Sequence, residues 1–169
     1  MITPGYVRTM AAYNAEMNRR LYAAADRLTD AERRADRGAF WSSIHGTLCH
    51  LVWGDRIWMS RFAGWPKPPV GLRDSATMIE GWGALHAARI ETDSSLTEWA
   101  ATVNDTWLAG DLVWFSGGAQ KELRRGRAFL LVHFFNHQTH HRGQVHALLT
   151  AAGQKTGDTD VMILVNGTE

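Results

Sequence analysis

The sequence lacks the features that mark disulfide-rich, nucleic-acid-binding and membrane-spanning proteins. Cys49 is the single cysteine among 169 residues, so no internal disulfide can form, which fits a reducing compartment. The formal net charge is +1 and the basic residues are scattered, whereas nucleic-acid binding usually needs a basic stripe. The longest apolar stretch, Ala128–Phe135, is interrupted by His133 and is far shorter than the ~20 residues of a membrane helix. We therefore expect a cytoplasmic protein with neither a nucleic-acid nor a membrane partner.

What the sequence does contain is the ordinary composition of a globular protein, with 45% apolar and 21% charged residues. The length suits one hydrophobic core, and we expect a single domain over residues 1–169. Four segments repeat apolar residues at spacings of three and four, which predicts an all-α four-helix bundle. The predicted helices run from Pro4 to about Leu28, from Ile44 to Phe62, from after Ser75 to about Trp107, and from Arg127 to about Ala152.

Two further segments lie outside these helices. Short strand-like runs flank Gly117 and Gly118 in the segment 111–126, which predicts a small hairpin between the third and fourth helices. The tail has an apolar centre, Val161–Val165, which we expect to pack along the bundle.

The most informative segment is Asn136–Gln144, which places His137 and His141 four residues apart on the fourth helix. At ~100° per residue, His141 lies within the apolar seam of that helix and His137 on its flank. His50 lies at the edge of the seam of the second helix, beside Gly54. Three neutral imidazoles with an open coordination position are typical of a reactive metal site. An edge position predicts a site open to solvent.

Other interpretations of these histidines stay open. Each could be an ordinary polar residue, and the pairs His133/His137 and His137/His140 also have ligand spacing but face further outward. Haem held by one axial histidine is a further alternative. The Glu-x-x-His signature of di-iron bundles and the His-Glu-x-x-His signature of zinc proteases are both absent.

Asp55 lies in the middle of the apolar seam of the second helix, where a buried carboxylate needs a partner. Arg142, beside the histidine pair, is the predicted partner. The two residues would form an ion pair between helices, or would orient a metal-binding imidazole from outside the ligand set. Of the eight tryptophans, Trp65 in the proline-rich loop and Trp114 in the predicted hairpin could line a pocket or a subunit contact, whereas four others are expected in the core: Trp41, Trp53, Trp58 and Trp82.

Two motifs together resemble the DinB-like superfamily. The run Thr47–Trp58, which contains His50, looks like its first signature, and the run Phe134–Gln144 resembles its second. The tail around Gly157–Asp160 is also similar, so the resemblance covers essentially the whole chain. It implies a four-helix bundle in up-down-down-up order and a divalent metal held by three histidines, here His50, His137 and His141.

The resemblance implies an enzymatic function less directly than it implies the fold and the metal site. Characterised relatives include metal-dependent thiol transferases, in which a metal lowers the pKa of a thiol. We therefore expect a transferase that joins a low-molecular-weight thiol to a small-molecule substrate. Nickel or zinc is the expected metal, with iron or manganese as alternatives. A homodimer is also implied. The competing interpretations are a non-catalytic metal- or ligand-binding scaffold and a metal-dependent hydrolase, and no general base can be assigned.

Overall fold

The computed structural model describes residues 1–164, and most of them are helical. The elements, in chain order, are α1 (Pro4–Ala25), α2 (Asp30–Arg34), α3 (Ile44–Phe62), a 3-10 helix (Leu72–Thr77), α4 (Trp82–Thr102), α5 (Asp105–Ala109), β1 (Asp111–Ser116), β2 (Lys121–Gly126), α6 (Arg127–Ala151) and α7 (Val161–Leu164). The mostly helical prediction is confirmed. None of the described helices combines the length and apolarity needed to cross a membrane.

Local sequence signals set most of the helix ends. The Thr3 hydroxyl accepts the backbone N–H of Tyr6, and Pro4 occupies the first turn of α1, where its missing N–H costs no hydrogen bond. The Ser43 hydroxyl caps α3 by accepting the N–H of Gly46. After α6, Gly153 adopts a φ of 77°, the left-handed conformation typical of a residue that follows a helix. The predicted bounds of the second and fourth helices are therefore close to those observed.

The predicted third helix was wrong at both ends. Ser75 lies in the 3-10 helix, and α4 begins only at Trp82, after Gly81 in an extended conformation. The chain is extended again at Val103, and the side chain of Asn104 then caps the separate helix α5. A continuous apolar pattern cannot show these breaks, because the short elements on either side also pack apolar residues against the core.

The predicted hairpin is confirmed as the antiparallel pair β1 and β2. Residues 117–120 form its turn, which contains the two predicted glycines. In the tail, the Tyr13 hydroxyl on α1 donates a hydrogen bond of 2.8 Å to the carbonyl oxygen of Thr159. The expected apolar segment is helical as far as Leu164, and Val165 lies outside the described residues.

The four long helices pack around two clusters of buried apolar side chains, one towards each end of α3. Contacts between side chains give the directions of neighbouring helices. On α1, Asn14 bonds to Asp93 of α4, whereas Tyr22 stacks on Trp82 at the start of α4, so these two helices are antiparallel. Helices α3 and α6 are also antiparallel, because His50 lies against His141 and Phe62 lies against Phe134.

A buried polar network joins the helices between the two apolar clusters. Asp55 on α3 is fully buried, and its carboxylate accepts hydrogen bonds from Arg89 on α4 at 2.7 Å and from Gln138 on α6 at 2.8 Å. Arg89 also bonds to Asp93, which in turn accepts from Asn18 on α1. The Asp55 carboxylate therefore has partners on two other helices.

The partner predicted for Asp55 was wrong, because Arg89 and not Arg142 forms its ion pair. Arg142 instead bonds to Asn14 and Thr139 and lies over the ring of Tyr13. Burial opposes the charged form of Arg89, but the nearby carboxylates of Asp93 and Asp55 outweigh it and raise its pKa. The sequence pattern missed this arginine because α4 carries a weak apolar stripe, which left its buried face undetermined.

Replacing the buried cation tests the importance of this network. Arg89→Met leaves two carboxylates buried without their guanidinium, and we expect the free energy of unfolding to fall by about 3–5 kcal/mol. Glu91→Gln, on the same helix, removes the exposed partner of Arg56. This substitution should change the free energy of unfolding by no more than about 1 kcal/mol. Urea denaturation of both variants measures the difference. Equal stabilities would show that the network contributes little.

Candidate metal centre

Three histidines from two helices meet at one point of the bundle. His50 of α3 and His137 and His141 of α6 each offer a ring nitrogen, and these three atoms all lie within 4.8 Å of one another. The Nε2 atoms of His50 and His137 are 3.2 Å apart. The antiparallel packing of α3 on α6 brings these residues together, because it aligns the first half of α3 with the middle of α6.

Two of the imidazoles are held by hydrogen bonds at the opposite ring nitrogen. His50 Nδ1 lies 2.8 Å from the hydroxyl oxygen of Ser75, and His141 Nδ1 lies 2.8 Å from the amide oxygen of Gln144. When Nδ1–H donates to these oxygens, Nε2 keeps the lone pair that a metal needs. Buried His137 Nδ1 has no partner among the described side chains.

The surroundings of the three rings favour neutral imidazole. Burial is the main cause that lowers the pKa of His50 to about 3, with a smaller effect of the neighbouring histidines. Burial is also the main cause that lowers the pKa of His137 to about 4, with a smaller effect of His141. Burial also lowers the pKa of His141. Neutral imidazole is the form that binds a metal, so little proton competition is expected at neutral pH.

His50 is more enclosed than its edge position predicted, with only 2% of its surface exposed. The indole of Trp41, which was expected in the core, stacks on the His50 ring at 4.1 Å between centroids, and Trp53 stacks at 5.7 Å. Ser75 in the 3-10 helix covers another side. Helical phase could not reveal this cover, because both Trp41 and Ser75 lie outside the four long helices.

Gly54 makes room for His137 and not for His50 as predicted. A Cβ atom at position 54 would lie 2.8 Å from Cε1 of His137, which is closer than side chains pack. The absence of a side chain therefore lets the imidazole of α6 reach the site across the surface of α3.

The two residues predicted to support the site do not contact its rings directly. Asp55 bonds to Arg89 and Gln138, and Arg142 bonds to Asn14 and Thr139. Gln138 follows His137 in sequence, so Asp55 helps to fix α6 at this level. The groups that orient the imidazoles are Ser75 and Gln144, and neither role was predicted from the sequence.

The other histidines of α6 lie outside the triad. His133 is 6.2 Å from His137 between ring centroids and packs on Trp58, and His140 is exposed. The two rival pairs therefore lack the third converging ligand that His50 gives to His137 and His141.

The spacing of His50 and His137 suits two ligands of a divalent metal ion of the zinc type. Two nitrogens bound at about 2.0–2.1 Å in tetrahedral geometry lie about 3.3 Å apart, close to the 3.2 Å between the Nε2 atoms of His50 and His137. A direct hydrogen bond between these two atoms would need a proton on one of them, whereas a metal uses both lone pairs. Three neutral nitrogen ligands leave at least one position open to another ligand.

Comparison with known families agrees with this arrangement. The family model described as the DinB family matches residues 1–168. The chain belongs to the DinB family. No curated protein and no solved structure gives a significant match. The DinB match therefore confirms the family inferred from the two histidine motifs. The metal, substrate and reaction of this DinB protein have to be inferred from the geometry of the site.

Filling the space at Gly54 should weaken metal binding without unfolding the protein. In Gly54→Ala the new methyl group displaces the end of a flexible side chain, the His137 ring, so we expect metal affinity to fall roughly tenfold or more. Competition with a chromophoric chelator measures the affinity.

Gly143→Ala is the matched control, because this glycine of α6 has open space around its Cβ position. It should leave metal affinity unchanged and raise the free energy of unfolding by up to about 1 kcal/mol. A folded Gly54→Ala protein with unchanged metal affinity would contradict the placement of His137 among the ligands.

Proposed function

We propose that this DinB-family protein is a divalent-metal-dependent enzyme that transfers a low-molecular-weight thiol to a small electrophile. The observation that carries the proposal is the convergence of three neutral imidazoles, from His50, His137 and His141, with a coordination position left open. Nickel or zinc is the proposed ion. When bound, such an ion lowers the pKa of a thiol and stabilises the thiolate nucleophile.

The residues of the chain would prepare this site in three ways. Ser75 and Gln144 hold the rings of His50 and His141 with Nε2 available. Trp41 and Trp53 cover the His50 ring and exclude water from that side. Asp55 holds α6 against α3 through Gln138. In a thiol addition, sulfur bonds to the electrophilic carbon and the thiol proton ends on the product, so no further reactant is consumed.

We also infer the up-down-down-up helix order of the bundle. Supporting contacts pair α1 antiparallel with α4 and α3 antiparallel with α6, while Asp55–Arg89 and Phe62–Trp99 run in the same direction along α3 and α4. The homodimer implied by the family resemblance stays a prediction, which sedimentation velocity addresses.

The first test is metal content. Protein purified without a histidine tag or chelator, or reconstituted with metal, should hold about one equivalent, and His141→Ala should lose it because two imidazoles remain. His140→Ala changes the adjacent exposed histidine and should keep the metal. Elemental analysis gives the ratio. Absence of metal from the reconstituted wild-type protein would overturn the enzyme proposal and favour the scaffold interpretation.

A second test separates thiol transfer from hydrolysis. In cobalt-substituted protein, a thiol that binds the metal as thiolate should produce a sulfur-to-cobalt charge-transfer band, which an alcohol of the same shape should not. His141→Ala should show no such band, and His140→Ala should show it fully. If no low-molecular-weight thiol produces the band in cobalt-loaded wild-type protein, thiol transfer is contradicted and the hydrolase alternative gains support.

A further inference from the structure

A wide groove runs along α3 from Trp53 to the hairpin. Its volume is about 1100 Å³, and its lining includes Trp53, Ile57 and Arg61 of α3 and Trp114 of β1. Trp53 is one of the two tryptophans that stack on His50, so one end of the groove lies against a residue that covers the metal site. A space of this size accommodates a small organic molecule. The triad and the groove therefore share one face of the bundle.

Arg61 is an unusual residue in this groove. Its guanidinium is half-buried, and burial lowers the pKa of Arg61, although an arginine stays charged at neutral pH. No carboxylate among residues 1–164 lies within ion-pair distance, and no described residue accepts a hydrogen bond from it. By contrast Arg56, on the same helix, pairs with Glu91 at 3.0 Å. A partly desolvated cation without a counter-ion is costly unless a ligand completes it.

The packing around Arg61 leaves its hydrogen-bond donors available. The guanidinium carbon lies 4.5 Å from the ring centroid of Trp58 and 5.7 Å from that of Trp114. These aromatic contacts hold the planar group by cation–π attraction, which does not use its N–H donors. Those donors form a fork that matches the two oxygens of a carboxylate.

Other charges along the groove favour the same kind of ligand. Lys67 and Arg73 also line it, and Asp74, which is exposed, is the acidic residue among the lining residues in the described part of the chain. The local potential is therefore positive, although the whole chain has a formal net charge of only +1.

Arg61 lies at a useful distance from the histidines. It shares a face of α3 with His50 and Gly54, since eleven and seven residues correspond to nearly whole numbers of turns. Gly54 is at the level of His137, and seven residues rise about 10 Å along a helix. One molecule could therefore contact both the guanidinium and the open position at the triad.

We infer that the groove binds an organic carboxylate, with its carboxylate on Arg61 and its apolar part between Trp53 and Trp114. This deepens the proposed function and rests on it for the identity of the ligand as substrate: the electrophile would be a small carboxylic acid whose reactive carbon points towards the triad. Arg61 is then a substrate-binding residue that sets the orientation and the specificity of the site.

The test uses hydrocinnamate and its neutral amide as probes of the purified full-length protein. Isothermal titration at fixed ionic strength should show that the acid binds the wild-type protein at least about tenfold more tightly than the amide. Arg61→Gln should remove most of this preference. Arg56→Gln removes the same charge from the same helix outside the groove, and it should retain the preference.

Metal content, measured on the same samples, separates the two proposals. Equal metal in wild type and Arg61→Gln, with acid binding lost in the variant, supports the inference. Acid binding that depends on Arg61 in protein unable to hold metal would keep the carboxylate site and overturn the proposed enzyme. Equal binding of acid and amide, no binding of either, or an unchanged Arg61→Gln would overturn the carboxylate site, whatever the metal content.

Discussion

The Asp55 carboxylate is the point at which three helices are fixed relative to one another. It projects from the centre of α3, is fully buried, and accepts hydrogen bonds from Arg89 on α4 and Gln138 on α6. A buried carboxylate tolerates little displacement of its partners, because an unpaired charge in the interior is costly. The register of α6 against α3 is thereby restricted, and this register decides which imidazoles face each other.

The network around Asp55 and the histidine triad are two buried polar clusters that differ in charge. Around Asp55, the guanidinium of Arg89 is paired with the carboxylates of Asp55 and Asp93 at hydrogen-bond distance. Around His50, burial and the neighbouring rings favour the neutral form, and no carboxylate bonds to any of the three imidazoles among the described contacts. Three neutral ligands would leave the full positive charge of a divalent ion unneutralised. Such a site favours an anionic fourth ligand, and a thiolate is one.

Segments outside the four long helices also contribute side chains to the site and to the groove. The loop before α3 contributes Trp41, the 3-10 helix contributes Ser75, and the hairpin contributes Trp114. Each reaches the same face of the bundle, where α3 and α6 present the triad and Arg61. The helices therefore position the proposed ligands and Arg61, whereas loops and the hairpin cover the site and complete the wall of the groove, as is common for binding sites on a rigid scaffold. Variation in the hairpin would change the lining of the groove without removing any contact of the triad.

The helices with clear periods, the hairpin, the burial of Asp55 and the pair of His137 and His141 follow from spacing along short stretches of the sequence, and the family motifs add His50. The packing of the elements shows in addition that Arg89 pairs with Asp55, that Ser75 holds the ring of His50, that Gly54 makes room for His137, and that Trp41 covers His50. These four contacts join residues on different elements, whereas the contact of Gln144 with His141 lies within α6. Periodicity shows which face of a helix is buried, but the partner of a buried charge or ring depends on how the helices pack.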